Sequence, residues 1–114
     1  TTHFTWTPDG KADDRQRKDM GAMLRALDET GEFVLTGDFN APRGGEIFTD
    51  LATLYKDNIP EKYMSSIDPV LHSHGKPRVM VDGLFTTPQF GTRNVELVCG
   101  VSDHCAVVGE IYKN

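Results

Sequence analysis

A chain of 114 residues supports one domain at most, and at this length folding buries roughly two-thirds of the surface the unfolded form exposes, enough for a single core. With 38% hydrophobic and 25% charged residues it reads as an ordinary soluble globular protein, and no apolar run approaches the ~20 residues a membrane span requires. The formal net charge of -5 weighs against gripping long nucleic acid through a general basic surface, but leaves a local phosphate site open.

Thr1 to Trp6 alternates small polar and aromatic residues and reads as a strand that begins abruptly. It has neither a basic start nor an apolar signal core, and the chain does not begin with Met, so the sequence reads as a processed or excised piece. Pro8, Asp9 and Gly10 turn the chain. From Asp13 to Thr30 the spacing of Met20, Met23, Leu24 and Leu27 predicts a helix, with acids in its first turn and Gly31 placed to end it. Arg15, Arg17 and Lys18 form its solvated face. Phe33 to Thr36 has the character of a buried strand, and the glycines, proline and asparagine of Gly37 to Gly45 predict a long structured loop.

Ile47, Leu51 and Leu54 predict a second helix over Glu46 to Tyr55, and Asn58 to Gly75 reads as largely irregular. Val79 to Thr86, Asn94 to Cys99 and Cys105 to Tyr112 read as strands. The order predicts an α+β or α/β layered domain with helices on one face of a mixed sheet. Cys99 and Cys105 flank a short loop and could face each other across a hairpin; a single pair without a secretory signal favours reduced, buried thiols over a bridge.

Four short segments carry groups suited to phosphate chemistry. Gly37-Asp38-Phe39-Asn40 follows a buried strand and sets a carboxylate and a carboxamide at its end. Taken alone, its Asx residues suit hydrogen bonds to their own loop. Ser102-Asp103-His104 places a carboxylate beside an imidazole between two strands, where a turn Asp and an exposed His are the plainer reading. Val81-Asp82-Gly83-Leu84-Phe85 puts an acid in an apolar strand, where burial requires a partner unless Asp82 lies at a strand end or on the solvent side. Thr2-His3-Phe4 opens the chain. Elsewhere, His72 and His74 flank Ser73 in a polar loop with no Cys or acid at zinc-ligand spacing. Ser65, Ser66 and Asp68 are candidates to line a pocket, and Arg43 is either a phosphate contact or a plain surface residue.

Together, in this order and on these predicted strands, the four segments resemble the second half of the endonuclease/exonuclease/phosphatase family, the metal-dependent phosphoesterases that include DNase I. The resemblance covers essentially all 114 residues as one domain, the C-terminal half of a DNase I-like domain. It implies half of an α/β/β/α sandwich and in-line attack of water on a phosphoester. Asp38 is then a catalytic and metal-region carboxylate, Asp103 a metal ligand, and Asn40 a donor to the scissile phosphate. His104 contacts the phosphate or activates water, Asp82 fixes the His104 ring, and His3 stabilises phosphate charge. Hard carboxylate ligands suit Mg²⁺ or Mn²⁺.

The family's first half supplies an Asn and a metal-ligating Glu that have no counterpart upstream of His3. The resemblance therefore implies a homodimer or a complementing N-terminal half. It also leaves a second reading, a catalytically inactive half-domain that keeps the fold and metal or phosphate affinity. Family substrates include DNA, RNA, inositol phosphates and sphingolipids, and the acidic charge favours a small or locally recognised phosphoester.

Overall fold

A computed structural model describes residues 1–73 and 77–114. Strand β1 (Thr2–His3) leads to helix α1 (Asp14–Thr30), β2 (Val34–Asp38), α2 (Glu46–Leu54), β3 (Lys56–Asp57), β4 (Asp82–Thr86), β5 (Phe90–Val98) and β6 (Ala106–Lys113). The first four strands form a mixed sheet in the order β1-β2-β4-β3, parallel between β1 and β2 and antiparallel elsewhere. The opening strand is shorter than the sequence suggests. After Phe4 N–H bonds Asp38 O at 2.9 Å, the chain leaves the sheet, and Thr5 O accepts from the buried Gln16 amide instead.

Helix α1 starts where its capping chemistry dictates: the Asp13 carboxylate accepts from Gln16 N–H at 2.9 Å, and Gly31, at φ 82°, closes the other end by donating to Leu27 O. The two-residue alternation of β2 and β4 divides the core. Leu35 and Phe85 face the helices, where Met20, Phe48 and Leu51 pack with them around Phe39. Phe39 has no exposed surface and meets Phe4, Phe85 and Phe48 edge-on, with centroids 5.5, 5.7 and 6.4 Å away. Val34 and Leu84 face the other way and pack with Met80, Val95, Leu97 and Val107. Both helices thus lie on one face of the mixed sheet, as expected.

The last two strands do not join that sheet. β4 already has β2 on one edge and β3 on the other, so β5 cannot pair back onto it as a hairpin; the chain turns at Thr87 and β5 forms a separate antiparallel ribbon with β6. The short strand β3 falls where the sequence shows only a helix end. The cysteines are bonded to each other, which corrects the expectation of reduced thiols. Val98 and Ala106 are paired partners at the end of the ribbon, so the next residues outward, Cys99 and Cys105, are brought face to face with Cα atoms 4.2 Å apart. His74, half of the histidine pair noted above, lies outside the described residues. Among the described residues, no helix is long and apolar enough to cross a membrane.

Candidate active site

Strand register assembles the site. His3 is the parallel partner of Asp38, and Asp38 is the antiparallel partner of Asp82, so three adjacent strands set His3, Asp38 and Asp82 in one row at the end of the sheet. Two glycines permit this close approach. A Cβ on Gly37 would lie 2.0 Å from Thr2 O, and one on Gly83 would lie 2.6 Å from the rings of both Phe39 and Phe85. Between Asp38 and Asn40 the chain turns sharply: Phe39 plugs the core, Asn40 adopts φ 46°, and its N–H bonds the Asp38 carboxylate at 2.8 Å.

His104 arrives from the β5–β6 loop. Its Nδ1 lies 2.7 Å from Asp82 Oδ2, and its Nε2 lies 3.7 Å from Asp38 Oδ2. His3 Nε2 is 3.5 Å from the same Asp38 oxygen, on a side chain that is 74% exposed. One donor atom each from Asp38, Asp82 and His104 fit within 4.8 Å of one another. This donor set is suited to a divalent cation, with two hard carboxylates and a neutral imidazole.

Asp82 opens β4 and is largely buried, so the strand-end reading holds for its position; its partner is the imidazole. The Asp82 bond orients the His104 ring and directs Nε2 toward Asp38. Burial pulls the His104 pKa down, but the hydrogen bond to Asp82 and the charges of Asp82, Asp38 and Asp103 outweigh it, and the net shift is upward. Burial pushes Asp38 above the ordinary carboxylate range; the Asn40 N–H opposes this, the Asp82 charge adds to it, and His104 and His3 pull it back in part. A divalent cation would reverse this balance by favouring the Asp38 anion.

A segment whose role the sequence leaves open holds the two halves of the site together. Ser66 is fully buried, and its hydroxyl accepts from Val81 N–H at 3.0 Å and Asp82 N–H at 3.2 Å. Its carbonyl accepts from Cys105 N–H at 2.7 Å, and Ile67 bridges to His104. Ser66 therefore fixes the strand that carries Asp82 and the turn that carries His104. Asp68 is structural as well: its carboxylate takes the N–H groups of Val70, Leu71 and Gly100, which holds its pKa low, and its own N–H bonds Asp103 O. Gln16 was also hidden from sequence reasoning. Its amide bonds Thr5 O and Asn40 O, tying α1 to the Asn40 turn.

Not every candidate joins the cluster. Asp103 sits exposed in its loop, close enough to His104 to act on its charge but outside the set of three donors. Asn40 spends one amide hydrogen on Phe4 O at 2.7 Å, which anchors the turn and leaves a single N–H for any substrate. Arg43, read from the sequence as either a phosphate contact or a plain surface residue, packs against the protein. Its guanidinium pairs with Asp57 at 2.9 Å, donates to Ile59 O at 2.8 Å and lies over the Phe48 ring, so its charge is committed within the protein.

Two clefts flank the cluster. One, of about 490 Å³, runs from Asp38 and Asp82 over Thr36 and Leu84 to Val107 and Ile111 on the face away from the helices. The other, of about 240 Å³, opens at Asn40 and His104.

No protein-family model and no curated protein matches the sequence. Among solved structures, the chain is similar to the endonuclease/exonuclease/phosphatase from Bacteroides vulgatus, with a TM-score of 0.74 and 22% identity over 98% of this chain. It spans 48% of that protein's length. The chain has half of the endonuclease/exonuclease/phosphatase fold. In this half-fold the row of His3, Asp38 and Asp82 lies at one end of the mixed sheet, with the His104 loop folded back over it.

Proposed function

We propose that this half-fold carries the phosphate-binding and metal-binding side of a divalent-metal-dependent phosphoesterase. The observation that carries the reading is the convergence of Asp38, Asp82 and His104 from three separate segments onto one point beside an open cleft. Within that cluster the carboxylates of Asp38 and Asp82 are the groups that would hold Mg²⁺ or Mn²⁺, which when bound would withdraw charge from a phosphoryl oxygen. Asp82 keeps the His104 ring oriented, so that Nε2 is free to accept a proton from an attacking water or, once protonated, to donate to a phosphate oxygen. His3 lies beside Asp38, and with the remaining side-chain N–H of Asn40 it suits growing negative charge on the phosphate.

A divalent cation such as Mg²⁺ takes about six oxygen ligands, more than this cluster offers, so substrate, water or a second polypeptide completes the shell. The same proposal includes a covering partner, either a second copy of the chain or a complementing half, over the face away from the helices, where Ile111 stays exposed beside the larger cleft. The test is hydrolysis of bis(4-nitrophenyl) phosphate with Mg²⁺ or Mn²⁺ by the wild type, Asp38→Ala and His104→Ala. Metal-dependent release of nitrophenolate lost in both variants supports the reading. Equal inertness of all three, with metal still raising the melting temperature, favours the inactive metal-binding half-domain.

A further inference from the structure

A further cleft, of about 420 Å³, forms around the Cys99–Cys105 bridge. Lys62, Tyr63, Pro69 and Arg78 share its wall with the two cysteines, and among the described residues no Asp or Glu lines it. Lys62 and Arg78 are exposed and form no ion pair among the described residues; the Lys62 ammonium lies 5.2 Å from the Tyr63 ring centroid. In a chain of net charge -5, two such cations without a local acid make a small positive site, suited to a carboxylate-bearing ligand. The bridge itself is one-sided: Cys99 is exposed, whereas Cys105 is only 4% exposed. It also closes the loop that carries Asp103 and His104, because the pairing of β5 with β6 ends at Val98 and Ala106, one residue inside each cysteine. Otherwise one short segment ties the backbone of this loop. Asp68 Oδ2 accepts from Gly100 N–H at 2.7 Å, Asp68 N–H donates to Asp103 O at 2.9 Å, and Ser66 O accepts from Cys105 N–H at 2.7 Å.

We propose that this cleft admits a small anionic thiol, which opens the Cys99–Cys105 bridge and so unlatches the loop that carries His104. The incoming thiolate attacks Cys99 Sγ, the exposed partner. The S–S bond breaks, and its electron pair leaves on Cys105 Sγ, which takes up a proton. A second thiolate then attacks the small-molecule sulfur of the mixed disulfide. Two thiols are thereby oxidised to one disulfide, and Cys99 and Cys105 are reduced to thiols. Lys62 and Arg78 attract the carboxylates of the thiol and raise its concentration beside the bridge. A volume of about 420 Å³ falls within the ~300–1,000 Å³ of small-molecule sites, enough for a thiol of a few residues. Once the bridge is open, the segment around Ser66 and Asp68 holds the loop without its covalent clamp. The effect on catalysis rests on the phosphoester reading of the Asp38–Asp82–His104 cluster, whereas the thiol site does not.

The probes are glutathione, an anionic thiol, and neutral 2-mercaptoethanol, compared at equal thiolate concentration. Mass spectrometry should find the first mixed disulfide on Cys99. Glutathione should open the bridge about 10-fold faster, an advantage that about 0.5 M NaCl removes. Lys62→Gln combined with Arg78→Gln should abolish the advantage and leave the 2-mercaptoethanol rate unchanged; both side chains are exposed, so the variant keeps its fold. Opening the bridge should speed hydrogen exchange at Cys105 N–H and Asp68 N–H by up to about 50-fold, the chain-entropy effect for a loop of this length. Cys99→Ser should reproduce that change with no thiol present. Metal-dependent hydrolysis should fall on reduction and return on reoxidation. Equal rates for the two thiols, or an advantage that survives the double substitution, overturn the thiol site. Exchange at both amides unchanged by reduction, or hydrolysis unchanged by it, overturns the latch. Faster exchange with no hydrolysis in either redox state supports the latch and overturns the phosphoester reading instead.

Discussion

Replacing Ser66 by Ala tests how the site is held together. The hydroxyl is the acceptor for Val81 N–H, in a fully buried bond, and for Asp82 N–H, in a partly buried one. Removing it leaves the first donor without a partner and the second open to replacement by water. A stranded buried donor costs about 1–3 kcal/mol, and the second bond adds about 0.5 kcal/mol, for a total of roughly 1.5–3.5 kcal/mol. At an unfolding entropy of about 2.1 cal/mol/K per residue, a domain of 114 residues loses roughly 4 °C per kcal/mol, so the melting temperature should fall by about 6–14 °C. Urea denaturation should show the same loss as a lower midpoint with an unchanged slope. In the folded variant, the ring signals of His104 should shift, because the strand bearing Asp82 loses one of its anchors. A stability change within 0.5 kcal/mol and unmoved His104 signals would refute the idea that Ser66 joins the two halves of the site.

Gly83→Ala should destabilise the protein by about 1–3 kcal/mol in denaturant titration, since its methyl group would meet the Phe39 and Phe85 rings at 2.6 Å. Cys99→Ser, which opens a loop closed over a sequence separation of 6, should cost about 2–2.5 kcal/mol against the oxidised wild type, and nothing against the wild type in reductant. Asp68 has a depressed pKa, so its contribution is complete above the ordinary value of 3.8 and is lost as pH falls through the lower folded value. Stability of Asp68→Asn should therefore vary less steeply with pH in that acid range than stability of the wild type. His104 shifts upward, so its contribution is complete below 6.5 and is lost as pH rises through the folded value; Asp82→Asn should flatten that alkaline-side loss in metal-free buffer.

Much of this arrangement was legible because it is local. Asp13 and Gly31 mark the ends of α1 by their own capping chemistry, and the apolar run before Gly37 places Asp38 at a strand end. The residues that bring the site together act across the chain. Ser66 serves groups 15 and 16 positions away, and Gln16 reaches Asn40 across 24, so neither leaves a local pattern beyond a polar residue in an unremarkable place. Arg43 was left open between two readings for the same reason: a loop arginine beside glycines suits a phosphate, and only the fold sets Asp57 and Ile59 O within its reach. The disulfide and the separate ribbon depend on one register, Val98 with Ala106, which strand propensity alone does not specify.

The most direct test of the central claim is proton NMR of the histidine rings during titration with Mn²⁺, whose unpaired electrons broaden nearby signals. The account predicts that His104 broadens at the lowest Mn²⁺ concentrations, with the exposed His3 ring responding at the same step, and that Asp38→Ala abolishes the effect. Sharp His104 signals at saturating Mn²⁺, or broadening that survives Asp38→Ala undiminished, would contradict it.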